Sequence, residues 1–569
     1  MAKVTINGKL VKVKNGTTIL NAAKSIGVDI PTLCFLKEIN EIGFCRICVV
    51  EVQGEQDLVS ACNTEITNGM VIKTDSDKVL ESRNTTLQLL ASKHRFDCWR
   101  CPKDGMCEFY DLLKKHDVAF EKFGPGIGRY TDQIQGTGIS QDQTKCVLCK
   151  RCVAVCSQVV TAKVLKFRDD EGINPIVSPT PGLAFDDAGC IFCGQCVKAC
   201  PTGTLFETSH VGEVEDLLRN KEEKVVVQIN NKANSALAEE FGYDIDSPAS
   251  ETIGKTYKAL ELLGFDEVAS LDFGEDMHAI ATAEELVDRL ENEGTLPLFT
   301  TTCPSTTRYL ELYKPELLDN LAKVKSPHVI QGMMYKHHLL KGKPENTKVV
   351  TIDTCTSKKY EVSREELQTK GVKDVDYVLT VRELAKLIKR KDINFRKLEN
   401  TEFSNELTGK RPTVKGGALV ATLNAVSELL DNKPLGKLDF KITRGKELSE
   451  TTGMIKEATV LIAGKKLNVA ICHGGAAFNE MFEKISNKKY HLVEMMTCPG
   501  GCINGGGMPL TGEMPLVDII AKRSKSLGLD QDNLELSNPT HNELVKAAYT
   551  DKVKEDLNTH YSQKEFTKE

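Results

Sequence analysis

The sequence predicts an α+β multidomain protein: a small module opened by a β-hairpin, a cysteine-rich middle, and a large α/β domain in two lobes. Three observations carry that prediction. The 569 residues exceed what one core can serve. The 20 cysteines gather in short runs instead of scattering. From residue 210 onward, apolar runs of strand length alternate with helical patterns.

The first element is a hairpin, because residues 3–13 alternate apolar and polar around Asn7 and Gly8. Residues 17–26 then carry helical spacing behind a threonine cap. That order predicts a β-grasp fold over 1–78. Within it Cys34, Cys45, Cys48 and Cys62 stand with ten, two and thirteen residues between them. Three thiolates on one long loop and a distant fourth suit a [2Fe-2S] cluster of the ferredoxin kind. A zinc ribbon usually shows two CxxC pairs, and here there is one.

The next segment, 79–125, packs His94, Cys98, Cys101 and Cys107 around the single tryptophan, Trp99. Taken alone, this set suits zinc and a [4Fe-4S] cluster about equally, and its neighbours favour iron. Over 137–209 the spacing C-x2-C-x2-C-x3-C occurs twice, as Cys146, Cys149, Cys152, Cys156 and as Cys190, Cys193, Cys196, Cys200. In two-cluster ferredoxins the fourth cysteine of each run serves the other run's cluster. The expected sets are therefore Cys146, Cys149, Cys152 with Cys200, and Cys156 with Cys190, Cys193, Cys196. Ser157 stands where the second run has Pro201, which changes a turn and no ligand. One [2Fe-2S] and three accessory [4Fe-4S] clusters make an electron wire, so the chemistry is expected beyond residue 209.

There the runs 225–229, 296–299, 349–352, 467–471 and 491–495 read as strands, and 210–569 as one α/β domain with a cleft between lobes. Cys303, Cys355, Cys498 and Cys502 follow strand ends, where open sheets bind cofactors. Gly500, Gly501, Gly505, Gly506 and Gly507 are expected to let backbone approach a bulky inorganic group. Cys472 alone stays outside the sets and is expected to pack as a small hydrophobe.

Composition limits the alternatives. A net charge of −6 without a basic stripe argues against nucleic acid, and no run is long enough to span a membrane. The start lacks a leader pattern. A soluble, cytoplasmic protein with reduced thiols is expected.

The segments TTTCP, TCTSKKYE and TCPGGCINGGG resemble the three active-site signatures of [FeFe]-hydrogenases, and the likeness, including the order of accessory clusters, extends over essentially the whole chain. The resemblance implies that Cys303, Cys355, Cys498 and Cys502 hold the [4Fe-4S] part of the H-cluster. Cys502 would bridge to a two-iron subsite whose CO, cyanide and azadithiolate ligands come from maturation proteins. It further implies that Lys358 hydrogen-bonds a cyanide and that Met496 packs near the bridge. The expected reaction interconverts hydrogen with protons and electrons, which leave for a ferredoxin or flavodoxin-type carrier.

Several residues depart from the family pattern. Thr302 replaces a proton-passing cysteine before Cys303, and a hydroxyl can relay but not titrate near neutrality. Along the family's proton path an inner glutamate becomes Thr282 and a serine becomes Ala322, while Glu285 and Arg289 persist. A rerouted or water-mediated path is expected. Asp353 replaces a methionine, and on an extended strand it shares a face with Cys355, so it is expected to point toward the cluster. The turn Asn230, Asn231, Lys232 and the segment 416–429 also depart, and both should line the cleft. This pattern resembles the divergent clostridial hydrogenase II type, which favours hydrogen uptake. The competing readings are a hydrogen sensor, an iron-sulfur subunit like that of NADH dehydrogenase, and an iron-sulfur assembly protein.

Overall fold

A computed structural model describes residues 1–567 apart from 120–132, 170–175, 181, 221, 341, 402–416, 436–437, 446–451, 513–515 and 529–537. Gly416 and most of the join between 79–125 and 137–209 thus lie outside the described residues.

Strands β1 (Ala2–Ile6) and β2 (Lys9–Val13) pair antiparallel, with Ile6 opposite Lys9. Asn7 and Gly8 both take positive φ, 47° and 80°, as the two-residue turn matched to strand twist requires. With β3 (Val49–Val52), β4 (Val59–Ser60) and β5 (Val71–Lys73) they form one sheet in the order β2-β1-β5-β3-β4. The helix Ile19–Ser25 starts behind Thr18, whose hydroxyl accepts the Asn21 N–H at 3.3 Å. Its Ile19, Ala22 and Ala23 close on Val4, Ile6 and Ile72. A second helix, Asp77–Ala91, sends Arg83 inward to donate to the carbonyls of Ile47 at 3.0 Å and Val49 at 2.8 Å, which fixes the cysteine loop to the module's edge.

The middle of the chain is built from short pieces. β6 (Gln133–Ile134), β7 (Ile139–Asp142) and β10 (Leu205–Glu207) make a three-stranded sheet, and β8 (Lys166–Arg168) pairs with β9 (Ile176–Ser178). The two cysteine runs share one backbone course. Leu148 and Phe192 have φ 55°, and Lys150 and Gly194 have φ 64° and 69°, at equivalent places in each run.

The large domain has two sheets. In the first lobe β11 (Lys224–Ile229), β12 (Glu267–Ser270), β14 (Thr347–Asp353) and β15 (Tyr377–Thr380) lie parallel in the order β12-β11-β14-β15. In the second, β13 (Leu298–Phe299), β16 (Lys441–Arg444), β17 (Met454–Ile462), β18 (Lys465–His473) and β19 (Leu492–Met496) run β13-β19-β18-β17-β16. Strands β13, β19 and β18 are parallel, and the outer pairs are antiparallel. The strand expected over 296–299 shortens to Leu298–Phe299, since Pro297 has no N–H for a ladder. Between the lobes runs the helix Asp272–Glu291, whose Phe273, Met277, Ala283 and Leu286 are fully buried.

Candidate active site

Parallel strands of both lobes end on the same crevice. Cys355 follows the end of β14 by two residues, Cys498 follows β19 by two, and Cys303 follows β13 by four. The loops are tied together: the Gly507 N–H donates to the Thr354 carbonyl at 2.8 Å, and the Thr306 and Thr497 hydroxyls meet at 3.2 Å. Burial drives the thiols of Cys355, Cys498 and Cys502 upward, and each also feels Cys303 among its charged neighbours, so the four converge. Buried thiols this far from ionisation remain thiolates only with a bound cation, and four soft donors in a dry crevice fit an iron-sulfur group.

The glycines beside Cys502 let backbone meet backbone. A Cβ on Gly505 would meet the Thr354 carbonyl oxygen at 2.3 Å, and one on Gly506 the Cys193 carbonyl oxygen at 2.4 Å. Backbone therefore approaches backbone here, joining the second lobe to the first and to the ferredoxin-like module. At Gly501 (φ 76°) the space is taken by the sulfur of Met496 and the ring of His473, each 3.2 Å from where a Cβ would stand. Met496 and His473 are register partners on β19 and β18.

Lys358 and Asp353 face one another at 3.4 Å, with side chains 7% and 2% exposed. Burial opposes the charge on Lys358, but Asp353, then Glu361, Cys355 and Cys502 outweigh it and raise its pKa. Asp353 is thus neither at the surface nor free. Its charge also reaches Cys355 and Cys502. The Glu361 carboxylate in turn accepts from His328 Nε2 at 2.7 Å, and that imidazole holds the carboxyl low against burial. The Thr302 hydroxyl oxygen is buried and without a hydrogen-bond partner among the described residues.

Around this centre stand residues whose partners sequence reasoning did not give. Lys232, expected in a turn, lies instead in the first turn of the helix Asn231–Leu237, capped by the Asn230 side chain, and is within electrostatic reach of Glu275, Cys502, Asp353 and Glu494; burial works against its charge and these neighbours raise its pKa. Glu494 accepts the Leu419 N–H at 2.7 Å and stands 3.8 Å from His473. His278 and His328 are both fully buried. The only advance signal was the unusual turn at residues 230–232, which marked Lys232 without giving its partner.

The accessory sets are also brought together. Cys156, Cys190, Cys193 and Cys196 line one small cavity. Cys152 feels Cys149, Cys200 and Cys146 as its nearest charges, and Cys149 feels Cys200 and Cys146. His94, Cys98, Cys101 and Cys107 line a second cavity, and the buried His94 Nδ1 has no hydrogen-bond partner among the described residues. In the first module Cys34 pairs with Cys45 and Cys48 with Cys62 by thiol contact. N–H groups of Cys45, Leu148 and Phe192 donate to the sulfurs of Cys34, Cys146 and Cys190, each at 3.4 Å. Among the described residues no three His, Cys, Asp or Glu crowd around a point as one ion would need. Thiolates that bind separate irons of a cluster sit farther apart than that.

Farther out, Glu285 and Arg289 form an ion pair of 2.5 Å on the helix Asp272–Glu291 and line a cavity of about 600 Å³. Thr282 on the same helix and Ala322 opposite are fully buried. Cys472 is buried on β18, and burial raises its pKa.

Comparison with known proteins accords with this construction. Residues 223–506 match the model for the iron only hydrogenase large subunit, C-terminal domain. Residues 1–77 match a 2Fe-2S iron-sulfur cluster binding domain, and 145–204 a 4Fe-4S dicluster domain. The chain is 37% identical to Iron hydrogenase 1 of Clostridium pasteurianum over 94% of each chain. It is 35% identical to the NADP-reducing hydrogenase subunit HndD of Solidesulfovibrio fructosivorans over 99% of each. A variant of the [FeFe]-hydrogenase HydA1 from Chlamydomonas reinhardtii superposes with a TM-score of 0.56 at 26% identity, covering 62% of this chain and 99% of that one. With the crevice, the cysteine sets and these likenesses taken together, the chain belongs to the iron-only hydrogenase large-subunit family, enzymes that interconvert hydrogen with protons and electrons and carry accessory iron-sulfur clusters.

Proposed function

We propose that this hydrogenase works mainly in the direction of hydrogen uptake, like the divergent clostridial hydrogenase II type. It passes electrons through three accessory [4Fe-4S] clusters and one [2Fe-2S] cluster to a ferredoxin or flavodoxin-type carrier in the cytoplasm. The observation that carries the bias is a pair of cations at the centre, the buried Lys358 and the half-buried Lys232. Lys232 and Lys358 both lie within reach of Cys502. Positive charge near thiolate-bound iron raises its reduction potential, which favours taking electrons from hydrogen over giving them to protons. When bound, the two-iron group supplies an open metal site that polarises hydrogen.

The chain's own residues hold, orient and drain that site. Cys303, Cys355, Cys498 and Cys502 would hold the H-cluster. Lys358 donates to an anionic ligand and is kept charged by Asp353, whose distance of 3.4 Å leaves the ammonium free to turn to the ligand. Met496 fills the space above Gly501 and excludes water. The unpartnered Thr302 hydroxyl is placed to accept and hand on a hydrogen bond. Glu285 and Arg289 stand at the solvent end. The accessory ligands are Cys34, Cys45, Cys48 and Cys62 for the [2Fe-2S] cluster, His94, Cys98, Cys101 and Cys107 for one [4Fe-4S] cluster, and the two crossed sets for the others. Cytoplasmic placement suits thiols that must stay reduced, and no described helix is long and apolar enough to cross a membrane.

The test is infrared spectroscopy of anaerobically matured protein, with uptake and evolution assayed on the same sample. CO and cyanide bands with uptake faster than evolution are expected. Bands with equal or reversed rates would remove the bias, and bands with barely detectable turnover would favour a hydrogen sensor.

A further inference from the structure

Proton release in this reaction needs a route out of a dry crevice, and the helix Asp272–Glu291 offers one. Its His278, Thr282, Glu285 and Arg289 recur at intervals of four, three and four, which places them on one face. That face lies against residues 321–325. Arg289 donates to the Leu321 carbonyl at 3.0 Å, Glu285 accepts the Lys323 N–H at 2.8 Å, and the His278 Nδ1 meets the Lys325 carbonyl at 2.9 Å. The other side of 321–325 is bound to the segment leading to Cys303: the Ala322 N–H donates to the Phe299 carbonyl at 2.9 Å and the Thr301 hydroxyl to the Val324 carbonyl at 2.8 Å. One polar stripe therefore runs from beside the active-site loop to the open cavity of about 600 Å³.

His278 is the titratable residue at the inner end. A carbonyl only accepts, so Nδ1 carries the hydrogen and Nε2 presents a lone pair. That lone pair faces the Thr282 hydroxyl at 3.4 Å, yet the hydroxyl already donates to the His278 carbonyl at 2.7 Å. Nε2 is left as a poorly satisfied acceptor in a residue 1% exposed. The charged groups that face the ring from other elements are Glu361, Lys358 and Glu494. Burial first, with Lys358 opposing the two carboxylates, lowers its pKa to about 4, so the ring rests neutral.

We propose that His278, with Thr282, is the inner proton relay between the hydrogen-splitting site and Glu285. A proton leaving the crevice is taken at Nε2, giving the imidazolium while Nδ1–H stays on the Lys325 carbonyl. The Thr282 hydroxyl turns from its backbone acceptor, takes the proton from Nε2 and gives up its own toward the Glu285 carboxylate, one helical turn on. No electron moves along this path, and the ring returns to its neutral form. The inference rests on the hydrogenase reaction and not on its direction.

The test uses the matured enzyme with His278→Gln and, as a gentler change, Thr282→Val. We expect His278→Gln to lower turnover about a hundredfold, the scale of a lost proton-transfer group, and to enlarge the solvent deuterium isotope effect. Thr282→Val should enlarge that isotope effect as well. A redox-stepped infrared difference spectrum should show a deuterium-sensitive imidazole ring band in the parent that His278→Gln removes. The CO and cyanide bands and the paramagnetic signals of the reduced accessory clusters should be unchanged. Parent-like turnover and isotope effect in His278→Gln would overturn the proposal. So would slower turnover with an unchanged isotope effect and a retained ring band, because that pattern marks packing alone. Should His278→Gln fail to mature, an unaltered isotope effect in Thr282→Val would overturn it.

Discussion

Among single residues, the buried pair of Lys358 and Asp353 is where electrostatics and chemistry meet most directly. Both side chains are withdrawn from water at a separation of 3.4 Å, and Asp353 is the largest influence holding the ammonium charged against burial. Breaking one partner of such a pair leaves a buried charge poorly compensated, at a cost on the order of 3 kcal/mol. Glu361 shares part of the load here, so Asp353→Asn should lose somewhat less. Its expected results are a lower urea midpoint, shifted cyanide bands in the matured enzyme, and slower turnover with a changed pH profile. Unmoved bands with unchanged turnover would remove Asp353 from the site. A steric prediction concerns Gly505, whose added Cβ would lie 2.3 Å from the Thr354 carbonyl oxygen. Gly505→Ala must push two backbones apart, and overpacking of this kind costs roughly 1 to 3 kcal/mol. Differential scanning calorimetry should record an earlier transition than for the parent, whereas Gly54→Ala, at a position with nothing nearby, should carry only the strain of its φ of 94°. A parent-like transition in Gly505→Ala would show that the loops can part freely.

Among the elements, the two cysteine runs make a prediction that uncrossed ligation does not. Cys156 lines the cavity of the second run, while Cys200 is near Cys149 and Cys152 of the first. Cys156→Ala and Cys190→Ala should therefore erase the same reduced [4Fe-4S] paramagnetic signal, and Cys200→Ala a different one shared with Cys149→Ala. Loss of different signals in Cys156→Ala and Cys190→Ala would refute the crossing. These runs were legible because ligand spacing is local. The same holds for the Asn7-Gly8 hairpin and for β11 and β14, whose buried parallel strands read as unbroken apolar runs. Strand β17 escaped notice because the adjacent Lys456 and Glu457, one on each face, interrupt the alternation of apolar residues. Strands β12 and β15 escaped because four residues between helices give too short a pattern to stand out. What no spacing could give is the seam between modules, where Arg382 donates to Glu207 of β10 at 2.8 Å and to the Gly506 carbonyl at 2.9 Å. Its partners lie more than a hundred residues away in either direction along the chain.

For the whole molecule, the modules close on one another by burying ionisable groups, and this fixes how stability responds to acid. The ligand cysteines were visible in the sequence because each set repeats a known spacing. The surrounding ionisable shell was not, since Lys232, His278, His328 and Glu494 come from separate segments and meet only after both lobes fold. Among the histidines that resist protonation are the half-buried His210 and the buried His278. His210, whose Nδ1 accepts the Val378 N–H at 3.3 Å, is lowered to about 3 by burial and then by Lys359. His278 is lowered to about 4. In the unfolded chain both return to about 6.5. Between that value and about 4 the unfolded chain binds protons that the native state refuses, so stability rises with pH there and levels off above 6.5. Each histidine contributes up to about 1.4 kcal/mol per pH unit in that window. Glu207 acts lower down: burial alone would raise its carboxyl, but Arg382 brings it to about 2, so its contribution is lost as pH falls from the ordinary carboxylate range. Asp272, raised to about 7 by burial, and Asp374, raised to about 6, act with the opposite sign in the acid range, so the histidine contribution is read as a difference: the urea midpoint of the matured parent should fall relative to that of His210→Asn as pH drops below about 6.5. His210→Asn keeps an acceptor for Val378 without a titrating ring, and should remove up to about 1.4 kcal/mol per pH unit of dependence in that window. An acid limb unchanged in His210→Asn would mean that this ring takes up protons in the folded protein. The modules would then be held together by something other than the exclusion of water from their joints.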